Sequence, residues 1–376
     1  MYRMDSVSLP IFRTELFKWS EQFIYTQVSS FEKFKPIELS LYRSPQPINT
    51  PMENWCLSDF GLPSKLETKY FQLTRKSESI KKELRKFPSP LILAHFAQDA
   101  LRIAPVATKI GKRVISICHG SDVLSHEVLK DDSFGLRYLK RHWVEYERTI
   151  DLSIAISGTI ATELQKKGIP SRKIEKFYIG TSIPEIVIPL ENRIYDITYL
   201  GRLTYEKGFD RFINIVLRLT ERFPQLSVCI AGDGPLRELI GRLFNASGIN
   251  VDFKGIVSVE ASKEIASFSK VLIVPTRQMD DGGSEGLSMA AVESLSTGTP
   301  VVSSNVGGLS ELSILQNLEG NPLADGDMEK QTELLLREVE YWREVSLNAS
   351  ELARKIFDVN VNSRALENFL WQYAYH

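Results

Sequence analysis

Short runs of consecutive apolar residues alternate along the chain with longer segments of helical period. Apolar runs at residues 7–12, 91–95, 114–118 and 153–156 predict buried strands, since a strand covered on both faces needs no polar alternation. Segments 20–34, 99–110, 135–148 and 159–167 predict the helices between them. Residues 183–192, IPEIVIPLEN, carry two prolines and no helical period, which predicts a linker over 184–194. A second alternating series follows, with strands predicted at 197–200, 227–231, 251–253, 271–275 and 300–303. Two such series predict an α/β chain of two Rossmann-like domains facing a cleft, residues 1–183 and 195–358, with ligands at the C-terminal strand ends. The last segment, 359–376, reads as an aromatic-rich amphipathic helix.

At 376 residues the chain is long enough for two domains with substantial cores. Its net charge of −1 hides an asymmetry: residues 1–190 carry 28 Lys/Arg against 21 Asp/Glu, and residues 191–376 carry 18 against 26. The first half therefore owns the attraction to anionic surfaces. Within it, residues 65–86 hold eight basic and three acidic side chains, with Tyr70, Phe71, Leu73, Ile80 and Leu84 interspersed and Phe87 directly after. A solvated helix face is the commoner reading of such a stretch; an anionic membrane surface or a phospholipid-linked acceptor is the alternative. Cys56, Cys118 and Cys229 are scattered, with no CxxC, which favours a reducing compartment and no metal cage. The N-terminus lacks the apolar run of a signal peptide, and no apolar run approaches the ~18–20 residues of a membrane span. The expected place is the cytosol, with contact at the inner face of the membrane.

The most chemically informative stretch is residues 281–311, DGGSEGLSMAAVESLSTGTPVVSSNVGGLSE, with Glu285 and Glu293 separated by seven residues. Ser284 or Glu285 reads as an N-cap, the run from Leu287 is a good helix former, and Thr297-Gly298 ends it. Backbone N–H groups at Gly286, Leu287 and Ser288 would then point out of the helix N-terminus and form an anion site. Glu293 would lie about 12 Å further along the axis, at ~1.5 Å per residue. A phosphate held there would have one carboxylate on each side. That suits a nucleoside diphosphate sugar, with sugar hydroxyls at Glu285, diphosphate on the amides and ribose at Glu293. Two glutamates at this spacing also occur in ordinary helices. The glycine pairs at 282–283 and 307–308 and the Thr299-Pro300 step favour function, because they punctuate one loop–helix–strand–loop unit.

Residues 201–208, GRLTYEKG, follow the first strand of the second series. Gly201 lets the backbone approach a ligand, and Arg202 and Lys207 fit a phosphate clamp; the plain alternative is a surface turn with ordinary salt bridges. In residues 116–122, SICHGSD, His119 stands at a strand end before a glycine turn. A lone histidine is more often structural, but this position in a Rossmann-like half favours a ligand contact. Asp122 reads as a cap or loop-orienting residue, and His95 in LAHFA as structural.

These elements resemble the retaining glycosyltransferases of the GT-B fold, the large family-four group, above all its bacterial exopolysaccharide, capsule and lipopolysaccharide branch. Residues 281–311 resemble the donor-binding signature, 201–208 the GR-x-x-x-x-KG element, and His119 to Asp122 the HGxD element. AGDGPL at 231–236 and FKGIV at 253–257 also match. SEQFIYTQV at 20–28 resembles SET-F-I-x-x-Q, with Gln22 where Thr is usual; its loop near Trp19 and Ser20 would close over the acceptor side. The resemblance implies that Glu285 and His119 act at the donor sugar as catalytic residues. It implies donor binding by Gly201, Arg202, Lys207, Gly286, Leu287, Ser288 and Glu293. Arg202 and Lys207 would grip the diphosphate and stabilise its charge as it departs, as a metal does elsewhere. It further implies that residues 1–183 bind the acceptor, that 195–358 bind the nucleotide sugar, and that helix 359–376 packs back on the first domain.

Asp325-Gly-Asp327 has the DxD form of metal-dependent glycosyltransferases of the other main fold, yet it precedes a Glu/Leu-rich helix and reads as a turn with an N-cap. No cofactor and no catalytic metal are expected. The expected partners are a UDP- or GDP-type sugar donor, a glycan or lipid-linked acceptor and an anionic membrane surface, with no nucleic acid. The expected activity is sugar transfer with retention in cell-surface polysaccharide synthesis. A nucleotide-sugar epimerase or phosphorylase on the same fold, or a non-catalytic glycosyltransferase-like partner subunit, are the alternatives.

Overall fold

A computed structural model describes residues 6–16, 21–45, 50–124, 134–246, 248–279, 283, 285–315 and 325–376. The chain divides into two compact units, Met1–Gly180 with Val359–His376, and Thr181–Asp358.

The first unit is built on a parallel sheet of β1 (Val7–Glu15), β2 (Phe34–Tyr42), β3 (Asn54–Cys56), β4 (Leu91–His95), β5 (Arg113–Cys118), β6 (Leu152–Ala155) and β7 (Ile174–Lys176). The strand order is β3-β2-β1-β4-β5-β6-β7, so the winding reverses between β1 and β4. The terminal helix Val359–Tyr375 belongs to this unit. Its buried Glu367 accepts hydrogen bonds from the N–H groups of Lys33 (2.7 Å) and Phe34 (2.9 Å), and Trp371 packs on Phe34.

The second unit carries β8 (Tyr195–Leu200), β9 (Ser227–Ala231), β10 (Asn250–Gly255), β11 (Ser269–Val274) and β12 (Val301–Ser303) in the order β10-β9-β8-β11-β12, all parallel. Here the winding reverses between β8 and β11. Both sheets are doubly wound, and the crevice beyond the strand ends at each reversal is where such sheets take ligands. Helix Phe209–Leu219 shows how this core is made. Phe209, Phe212, Ile213, Val216 and Leu219 recur at helical spacing, and all are fully buried.

The structure departs from the sequence reading in several places. The helix expected over 20–34 spans only Gln22–Ser29, and Phe34 onward is the strand β2. The helix expected over 135–148 is two, Phe134–Arg141 and Trp143–Thr149, with His142 between them. Strands β2, β3 and β7 were not foreseen: β2 contains Pro36, and the other two have three residues each. The proline-rich 184–194 stretch is part of the second unit. There Arg193 is 4% exposed and donates to the carbonyls of Ser269 (2.6 Å) and Thr297 (2.9 Å), which fastens the segment down. No helix among the described residues is long and apolar enough to cross a membrane.

Candidate functional site

In the second unit, the loops after β8 and β11 flank the reversal and meet there. Gly208 ends the first loop at φ 69°, and a Cβ on it would stand 1.9 Å from the carbonyl oxygen of Pro275, just past β11. Only glycine permits this approach. It brings Lys207 onto Glu285, and the two form a direct ion pair. The Glu285 side chain is 13% exposed and that of Lys207 29%. Arg202 points elsewhere: it is 66% exposed and pairs with Glu206 at 3.1 Å. Gly201 sits at φ 152° at the end of β8, and its N–H donates to the carbonyl of Ala231 (3.0 Å).

The helix in the glutamate stretch starts later than expected. It spans Met289–Ser296, and its N-cap is Ser288, whose hydroxyl accepts the N–H of Ala291 at 3.4 Å. Gly286, Leu287 and Ser288 therefore form the turn before the helix, and the dipole's own amides begin at Met289. The sequence reading named Ser284 or Glu285 as the cap and did not foresee Ser288. Glu285 is not the N-cap, and Gly282 and Ser284 lie outside the described residues. The turn is held from behind by Gly308. Its N–H donates to the carbonyl of Glu285 (2.7 Å), and a Cβ there would stand 2.0 Å from the oxygen of Gly286.

Glu293 lies in the middle of that helix, 8% exposed. Burial pushes its carboxyl up to about 7, with Lys263 opposing the rise and Glu260 adding to it. Lys263 itself donates to the carbonyl and hydroxyl of Ser182, both at 2.6 Å.

In the first unit, His119 follows β5 in a turn organised by Asp122. The Asp122 carboxylate accepts from the N–H groups of Ala97 (2.9 Å), His119 (3.1 Å) and Gly120 (2.8 Å), so it orients the loop and caps the helix Ala97–Lys109. The ring of His119 packs between Phe23 and Phe96. Burial first, and the positive charge of Arg13 second, push its pKa down to about 3, so the imidazole is neutral. His95 is more than a packing residue, because its Nδ1 lies 3.0 Å from Nε2 of His119. The sequence reading missed this contact, which follows from the parallel pairing of β4 with β5. Under them, Arg13 donates to the carbonyl of His95 (3.0 Å) and to Glu21 (2.6 Å), and it pairs with Asp99. The loop containing Trp19 and Ser20 lies outside the described residues. Asp325 opens the helix Asp325–Arg337, and no group of three or more His, Cys, Asp or Glu among the described residues is arranged to hold a metal ion.

Residues 187–354 match the family model described as glycosyl transferases group 1. A relative from Escherichia coli named for colanic acid biosynthesis, the glycosyltransferase WcaL, is 27% identical over 60% of this chain and 56% of its own length. The amylovoran biosynthesis glycosyltransferase AmsK of Erwinia amylovora is 25% identical over 67% of this chain and 62% of its own length. The chain thus spans about three-fifths of the length of these relatives. Among solved structures, Anabaena HepE in complex with UDP and glucose superposes with a TM-score of 0.74 at 16% identity, covering 97% of this chain and 100% of that one. Sucrose-phosphate synthase from Thermosynechococcus elongatus does so with a TM-score of 0.73 at 16% identity, covering 98% and 99%.

Proposed function

We propose that this chain is a retaining, metal-independent glycosyltransferase, a reading supported by the match of residues 187–354 to the glycosyl transferases group 1 model and by its α/β fold, which is that of the GT-B glycosyltransferases. It would move a sugar from a nucleoside diphosphate donor to a glycan or lipid-linked acceptor in polysaccharide synthesis. The observation that carries the proposal is the Lys207–Glu285 ion pair at the β8/β11 reversal. Sugar transfer separates two charges, positive at the anomeric carbon and negative on the departing diphosphate. A cation and a carboxylate held side by side at the strand ends are suited to take one charge each. Arg202 and the turn at Gly286, Leu287 and Ser288 would complete the diphosphate site, Gly201 would give the backbone room, and Glu293 would accept hydrogen bonds from ribose. His119 would hold the sugar from residues 1–183, the acceptor-binding part. HepE is complexed with UDP, which favours a UDP-type donor here.

Titration of UDP and GDP by calorimetry tests the nucleotide part through Glu293. With its pKa near 7, the carboxylate is mostly protonated at pH 6 and ionised at pH 8. Ribose hydroxyls donate better to the charged form, so affinity should rise with pH through about 7 and then level off. Glu293→Gln should flatten this rise and cost about 1.5–3 kcal/mol at pH 8. Titration of the nucleotide's own phosphate is common to both proteins and drops out of the difference. Equal affinity and equal pH dependence in the variant would remove Glu293 from the site.

A membrane contact is the second part of the proposal. The basic stretch divides into the helices Leu62–Thr74 and Glu78–Leu84. Phe71, Ile80, Leu84 and Phe87 are buried, whereas Leu66 (61%), Tyr70 (52%) and Leu73 (76%) form an exposed stripe at positions i, i+4 and i+7 of the first helix. Lys65 and Lys69 flank it, Lys76 follows, and none of the three has an ion-pair partner among the described residues. Glu67, the acid of this helix, is turned to Ser77 and Ser79. An apolar stripe with free lysines fits an anionic lipid surface. Sedimentation with phosphatidylglycerol vesicles should fall several-fold for Leu66→Ser/Leu73→Ser and, at low salt, for Lys65→Gln/Lys69→Gln. Equal sedimentation of both variants with wild type would leave a solvated or protein-binding face.

A further inference from the structure

The loop after β8 and the exit of β11 are joined by one residue, Arg277. The two strands are neighbours and parallel, so both chains leave the sheet at the same end. The Arg277 guanidinium donates to both carboxylate oxygens of Asp210, Nη1 to Oδ1 (2.6 Å) and Nη2 to Oδ2 (2.7 Å). Nη1 also donates to the carbonyl of Tyr205 (2.9 Å), and the guanidinium carbon lies 4.0 Å from the centre of the Tyr205 ring. The backbone N–H of Arg277 donates to the carbonyl of Glu206 (3.0 Å). Residues 205, 206 and 210 of one loop are thus held by a single residue of the other. Lys207 stands between them, followed by Gly208, which has no room for a Cβ against Pro275.

A lysine stem is flexible, so the backbone that carries Lys207 decides where its ammonium can go. The planar fork of an arginine meets a carboxylate through two parallel bonds, which fix direction as well as distance. Asp210 lies in the first turn of helix Phe209–Leu219, so this contact sets the helix start, and the lysine two residues before it, against the exit of β11. The side chains of Arg277 and Asp210 are 18% and 27% exposed, which shields the pair from much of the solvent screening that weakens surface ion pairs. Burial alone would raise the Asp210 carboxyl, yet the hydrogen bonds and charge of Arg277 hold it below its ordinary value, so the pair is ionised at neutral pH. Both terminal nitrogens of Arg277 are engaged by the loop, which suits this residue to hold Lys207 in place and leaves the diphosphate to Lys207 itself.

We infer that Arg277 is a positioning residue: by gripping Tyr205, Glu206 and Asp210 on either side of Lys207, it holds the Lys207 ammonium on Glu285, ready for the diphosphate. This rests on the reading above that Lys207 binds the diphosphate, and its test has a readout independent of activity. In ¹⁵N relaxation measurements on the lysine ammonium groups of the ligand-free protein, the Lys207 signal, assigned by its loss in Lys207→Arg, should be ordered. It should become markedly more mobile in Arg277→Met. That variant should also lower kcat by about 10–100-fold, the scale of a misplaced group. Arg277→Lys keeps the charge without the fork and should fall between the two in both readouts, which keeps the test open if Arg277→Met folds poorly. In a Lys207→Ala background, Arg277→Met should cost less than about twofold, because the group it positions is gone. A role confined to fastening the helix to the sheet would give the same loss in both backgrounds. An equally ordered Lys207 ammonium in wild type and both Arg277 variants, or an undiminished loss in the Lys207→Ala background, would overturn the inference. A fully active Lys207→Ala would instead defeat the clamp reading, and the mobility of the ammonium would still decide what Arg277 holds.

Discussion

Glu285→Gln is expected to lower turnover by about 10²–10³, roughly 2.7–4 kcal/mol, while affinity for the product nucleotide stays the same or tightens. Gln has nearly the shape and hydrogen-bonding capacity of Glu, so the sugar should still dock. What disappears is the negative charge proposed to lie beside the anomeric carbon, which matters only as positive charge develops there. The direction for nucleotide affinity follows from the ion pair. Lys207 is joined to Glu285 in the ligand-free protein, and neutralising the carboxylate releases the ammonium for the diphosphate. A side chain 13% exposed at a loop end makes little of the core, so the melting temperature should move by only a few degrees. Steady-state kinetics beside calorimetry of the nucleotide decide the matter, and a fully active Glu285→Gln removes this residue from the reaction.

Strands such as β4 and β9 were legible to the residue, because unbroken apolar runs between glycines and polar turns have few other solutions. The loops at the β8/β11 reversal were legible for a related reason. Glycine is required where backbones approach, as at Gly208 and Gly308, and such glycines show in one sequence. Less visible was what depends on register or on the choice of cap. The His95–His119 contact follows from how β4 and β5 align, which no local motif encodes. The helix starts at Met289 with Ser288 as its N-cap, later than the Ser284 or Glu285 cap that the sequence offered, and the turn before it is held by Gly308, some twenty residues away. Likewise, Tyr70 and Phe71 are neighbours of similar hydrophobicity, yet one is 52% exposed and the other fully buried. Which of the two is buried depends on how the helix Leu62–Thr74 is placed in the fold.

The two cations proposed to clamp the diphosphate, equivalent in the sequence, should part company when removed. Lys207 pairs with Glu285 and its side chain is 29% exposed, whereas Arg202 is 66% exposed and already shares its charge with Glu206. A charge partly withdrawn from water acts more strongly on a leaving diphosphate than one screened by solvent. Lys207→Ala should therefore cost about 10²–10³ in turnover. It also strands the Glu285 carboxylate beside the incoming diphosphate, so nucleotide affinity should fall as well, unlike the result expected for Glu285→Gln. Arg202→Ala should cost about tenfold, or ~1.4 kcal/mol, and more at low salt than at high, because an exposed cation acts through solvent. If the pair does the work of a metal, both wild type and Arg202→Ala should keep their activity in EDTA; complete loss restored by Mn²⁺ would overturn the metal-free part of the proposal. Rates at two ionic strengths, with nucleotide titrations of each variant, separate the roles. Equal, small losses in both variants would mean that the ion pair at the β8/β11 reversal holds the loops together and leaves the diphosphate to other groups.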